Sequence, residues 1–82
     1  MPILSCPQTP VYRVIQTTVT DEDGILYPTY GIEALDQKGN LLGAIPDISL
    51  DRFAVLALAE KMNTHHLALV HFWDVVEDFL SP

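Results

Sequence analysis

Ile48-Ser49-Leu50-Asp51 is the point at which this chain changes character. Ser49 has the side chain of an N-cap, with Asp51 favourably placed in the first helical turn. Ile48 before the cap and Phe53 after it have the spacing of a hydrophobic staple. From there Ala54, Leu56, Ala57, Leu58, Ala59 and Met62 favour helix, and Asn63 is expected to stop it in a left-handed conformation. Thr64-His65-His66 then reads as a short connection. A second helix is expected to begin between Ala68 and His71. Leu69, Phe72, Trp73, Val76, Phe79 and Leu80 fall on one stripe of it, and His71, Asp74 and Asp78 on the opposite face.

On the other side of that boundary the pattern is β. Residues 11–20, Val-Tyr-Arg-Val-Ile-Gln-Thr-Thr-Val-Thr, are rich in β-branched and aromatic side chains. Asp21-Glu22-Asp23-Gly24 supplies a turn. A second strand is centred on Tyr30-Gly31-Ile32-Glu33-Ala34-Leu35, with Tyr30, Ile32 and Ala34 on one face. Pro28 lacks a ladder donor, so pairing there must be one-sided, bulged or only starting. Gln37-Lys38-Gly39-Asn40 is a hairpin turn. Leu41 to Ile45 is a third strand, with Pro46 expected to stop it.

The fold class is therefore α+β: a three-stranded antiparallel meander followed by two helices packed on one face, in the order β-β-β-α-α. Residues 1–10, with Pro2, Pro7 and Pro10, read as an irregular Pro-rich arm, and residues 11–82 as a single α+β domain. No repeat or linker interrupts residues 11–80.

Hydrophobic residues make up 49% of the 82, and charged residues only 18%, which is a composition for a packed core. Eleven acidic side chains against four basic ones leave a net charge of −7, opposing a nucleic-acid partner. Cys6 is alone, so no disulfide framework exists within the chain, and a reducing, cytoplasmic setting fits. Ile3-Leu4-Ser5-Cys6 resembles a lipoprotein cleavage site, but no basic and apolar regions precede it, and lipidation is not expected. Ala54 to Ala59, the longest apolar run, is far short of the ~20 residues of a membrane span.

Three stretches, Tyr30-Gly31-Ile32-Glu33, Asp47-Ile48-Ser49 and Asp74-Val75-Val76-Glu77-Asp78-Phe79-Leu80, resemble a family of small uncharacterised domain proteins from Gram-positive, clostridia-like bacteria. The resemblance covers roughly residues 11–80 and leaves out the Pro-rich arm. It implies the same β-β-β-α-α order and a bacterial cytoplasmic setting. It implies no activity.

Candidate chemistry is sparse. His65, His66, His71 and Asp74, with Asp78, are the side chains from which a metal-ligand set could be drawn, but HExxH and CxxC spacings are absent. Ser5, Ser49, Ser81 and Cys6 lie in no nucleophile motif, and the four glycines form no phosphate loop. A domain of this size is expected to have little room for a pocket of ~300 Å³ or more. Glu77 and Asp78 stand in the last turns of the second helix, where the helix dipole disfavours anions. They cap a neighbouring N-terminus such as that of the Ser49 helix, pair with Arg13, Arg52 or Lys61, or mark a partner surface with His71 and Asp74.

The expectation is a small acidic non-enzymatic protein-interaction or regulatory module without cofactor. The alternative is a metal- or ligand-binding protein using His65, His66, His71 and Asp74. The Ser49–Asn63 segment carries two apolar stripes, Val55-Leu58-Met62 and Phe53-Leu56-Ala57, which adds the expectation of a two-fold homodimer.

Overall fold

A computed structural model describes residues 9–81. Strands β1 (Val11–Thr20), β2 (Leu26–Leu35) and β3 (Leu41–Ser49) form one antiparallel sheet in the order β1-β2-β3. Helix α1 (Arg52–Thr64) follows. A single 3-10 turn at Leu69–His71 then leads into α2 (Phe72–Leu80). The β-β-β-α-α arrangement is the one expected; the start expected for the second helix, between Ala68 and His71, is taken by the 3-10 turn, and α2 itself begins at Phe72. Met1 to Gln8, most of the Pro-rich arm with Ser5 and Cys6, and Pro82 lie outside the described residues.

The β1–β2 hairpin is in unbroken register from Val11↔Leu35 to Thr20↔Leu26. Asp21 closes its turn by accepting the backbone N–H groups of Asp23 and Ile25, each at 2.9 Å. Pro28 lies within β2, opposite Thr18. Pairing with β3 begins only at Tyr30↔Ser49, so the donor that Pro28 lacks has no acceptor to miss.

Strand β3 corrects the sequence reading, because it continues through Pro46 to Ser49. Ile45 pairs with Ile32 and Ser49 with Tyr30, which sets Pro46, Asp47 and Ile48 against the single residue Gly31. This wide bulge lies directly over Gly31. A Cβ there would overlap the Ile45 carbonyl oxygen and come within 2.6 Å of the Pro46 Cα. The bulge also covers Thr29, whose hydroxyl donates to Asp47 Oδ1 at 2.5 Å, and Thr17 donates to the Pro46 carbonyl at 3.2 Å. It returns Ile48 to the core.

The boundary at residues 48–51 is shifted by two residues. Asp51, not Ser49, caps α1, its Oδ1 accepting from Phe53 N–H at 3.0 Å and Ala54 N–H at 3.3 Å. Ser49 stays in the sheet and accepts the Asp51 N–H. The staple does not form, because Ile48 is buried and Phe53 is 73% exposed.

The other end of α1 is also later than expected. His66, at φ 51°, takes the left-handed position assigned to Asn63. His66 N–H reaches the Asn63 carbonyl and Leu67 N–H the Met62 carbonyl, which is the Schellman pattern. Asn63 remains helical, leaving its amide free to bind β1. It accepts from the Tyr12 N–H and donates to the Tyr12 carbonyl, both at 2.8 Å.

The core joins Tyr12, Ile32, Ala34 and Ile48 of the sheet to Val55, Leu58 and Met62 of α1 and to Phe72 and Val76 of α2. The remaining stripe residues of α2 are less enclosed than periodicity suggested: Trp73, Phe79 and Leu80 stay partly exposed. Trp73 lies against β3, where the absence of a side chain at Gly43 leaves space for its ring.

Two outcomes test this account in urea unfolding. Gly31→Ala is expected to destabilise the domain by about 1–3 kcal/mol or more, since a Cβ must displace the β3 backbone. A midpoint equal to the parent's would mean that the bulge does not sit there. Asp51→Ala should cost about 0.5–2 kcal/mol as the loss of an N-cap, and Ser49→Ala less than that. The reverse ranking would return the cap to Ser49.

Candidate functional site

Helix α1 packs across the sheet, mainly against β1, and α2 packs against β3. Between them is an open groove of about 460 Å³, larger than a domain of this size was expected to hold. Ala54, Ala57, Leu58 and Lys61 line it from α1, His65 from the turn that follows, and Phe79 from α2. A smaller apolar recess beside it is bounded by Met62, Leu67 and Val75. The walls are mostly hydrocarbon, with Glu60, Lys61, Thr64 and His65 supplying the polar groups.

His71, Asp74, Glu77 and Asp78 are all exposed, on the outer side of α2 away from Phe72 and Val76. Among the described residues the salt bridge present is Arg13–Glu33, across β1 and β2. The α2 carboxylates therefore do not make the pairing with Arg13 considered from sequence. Ser81 completes the C-terminus of α2 instead, its N–H reaching the Glu77 and Asp78 carbonyls and its hydroxyl the Glu77 carbonyl.

The candidate metal ligands are not brought together. Among the described residues, no three His, Cys, Asp or Glu side chains are gathered so as to hold a metal ion. His65 and His66 belong to the turn ending α1, whereas His71 ends the 3-10 turn and Asp74 lies in the first turn of α2. Nor do the displaced titrations mark a reactive centre. Burial raises the pKa of the Tyr12 hydroxyl, which donates to the Leu67 carbonyl at 2.7 Å. The Asn40 backbone and side chain, and then the Lys38 N–H, hold the Asp36 carboxyl below its ordinary value by closing the β2–β3 turn around it. Both groups are scaffold.

A family model matches residues 5–82. The chain belongs to DUF6514, a family of unknown function. The match takes in part of the Pro-rich segment that the sequence resemblance left out. No curated protein and no solved structure matches this DUF6514 chain. None of the described helices is long and apolar enough to cross a membrane.

The second apolar stripe of α1 was legible in sequence, and the structure leaves it uncovered: Phe53, Leu56 and Ala57 face outward. The groove itself was not legible, because it arises from the packing of two helices rather than from any motif. Zinc titrated calorimetrically into the chain is expected to give no saturable heat. One-to-one binding lost in His71→Ala would restore the metal site.

Proposed function

We propose that this domain is a non-enzymatic protein-interaction module of the bacterial cytoplasm, and that its partner docks on the helical layer. The observation that carries this reading is the apolar groove between α1 and α2, left open with Ala57 and Phe79 in its walls. An uncovered apolar surface of this kind is characteristic of sites where proteins meet. The outer face of α2 presents Asp74, Glu77 and Asp78 on a chain with net charge −7. The partner that fits is a protein with an apolar anchor for the groove and Lys or Arg side chains beside it. A lone cysteine supports a reducing compartment.

A photo-crosslinking residue at position 57, expressed in the native host, is expected to capture one discrete protein. The same residue at position 38, in the β2–β3 turn, should not. The adduct should weaken in Asp74→Asn/Asp78→Asn, with that variant's urea midpoint unchanged because both carboxylates are exposed. Equal labelling from positions 57 and 38, or an adduct indifferent to the two carboxylates, would remove the reading.

A further inference from the structure

We infer that the outer edge of β1 is the interface between two copies of this chain, paired antiparallel about a two-fold axis near Thr17. This surface is separate from the helical groove and does not depend on what occupies it. Strand β1 is an edge strand, with β2 on one side only. The direction of its backbone groups follows from Tyr12, whose N–H and C=O both bond to Asn63 and thus point away from β2. Pairing with β2 runs without a shift to Thr20. Antiparallel alternation therefore turns Val14, Gln16, Thr18 and Thr20 outward as well. The opposite set points inward, as the Asp21 N–H bond to the Ile25 carbonyl confirms at the hairpin end. Among the described residues, Asn63 thus occupies one outward position, and four in succession remain for another strand.

Natural edges are usually blunted by proline, bulges or charge, above all lysine. β1 contains no proline, no bulge and no lysine. It also contains no acidic residue, although the chain as a whole carries eleven. An acidic molecule meeting its own copy encounters the least repulsion along this strand.

Charge selects both the occupant and the direction. Arg13 stands near one end of β1, and Asp21-Glu22-Asp23 follow its other end. A parallel copy would set arginine beside arginine and carboxylates beside carboxylates. An antiparallel copy centred on Thr17 sets Arg13, which also bridges Glu33 of its own chain, opposite Asp21 of the second chain, whose own turn uses Oδ1, at both ends. In that register the outward residues meet each other, Val14 facing Thr20 and Gln16 facing Thr18, so the ladder is self-complementary. A two-fold axis perpendicular to the sheet keeps Arg13 and Asp21 on one face. The product is a continuous six-stranded sheet, three strands from each copy, and the addition of a strand at a free edge is an established recognition mode.

Light scattering after size exclusion at micromolar concentration should give twice the 9.1 kDa of one chain. Gln16 and Thr18 are exposed, so Gln16→Lys/Thr18→Lys should stay folded and return the mass to one chain, because lysines then face lysines. Gln16→Glu/Thr18→Glu should do the same alone, and an equimolar mixture of the two variants should restore the doubled mass. In the parent, amide exchange at Val14, Gln16 and Thr18 should slow as concentration rises, a reading that needs no variant. A parent of single mass, a lysine variant that remains dimeric, a mixture that stays monomeric, or those amides exchanging independently of concentration would each overturn the interface.

Discussion

Tyr12 is bonded to three other parts of the domain at once, and their relative positions follow from it. Its backbone N–H and C=O are held by the Asn63 amide of α1, its hydroxyl by the Leu67 carbonyl in the connection, and its ring packs 5.3 Å from that of Phe72 in α2. An amide side chain with one donor and one acceptor satisfies a strand residue as a neighbouring strand would. Such bonds are worth only about 0.5–1.5 kcal/mol net each, yet a buried group left without its partner costs more. That asymmetry sets the placement of α1: the helix must bring Asn63 to the β1 edge. Leu67 must then pass over the Tyr12 hydroxyl, and α2 begins beyond it.

The placement has consequences on both sides of the sheet. With α1 drawn to β1, α2 packs against β3, where Gly43 accommodates Trp73. The space between them is the groove. On the far face none of the described helices packs, and the β3 bulge covers Gly31 and Thr29. Asp47 and the Ser49 carbonyl satisfy the Thr29 hydroxyl, so a fully buried polar group stands within the sheet without loss. Among the described residues, the helical groove and the β1 edge beyond Tyr12 are both unfilled, and they differ in kind. One offers apolar area; the other offers backbone donors and acceptors.

Sequence by itself determined the order of elements, because hydrophobic periodicity is local and changes sharply between residues 45 and 51. It marked two apolar stripes on α1 without choosing between them; Val55, Leu58 and Met62 reach the core, whereas Phe53, Leu56 and Ala57 stay exposed. It marked the polar face of α2, whose exposed carboxylates lie opposite Phe72 and Val76. Local signals were ambiguous where two residues could serve one role. Ser49 and Asp51 are both competent N-caps, and Asn63 and His66 are both tolerated at a left-handed helix end. The choice fell to the residues not claimed elsewhere: Ser49 pairs with Tyr30, and Asn63 binds Tyr12. Tertiary structure alone decided the bulge over Gly31, the placement of the helices on the sheet and the open edge of β1. Each depends on contacts between residues far apart in the chain, and periodicity carries no information about which distant backbone will lie against a given glycine, asparagine or strand.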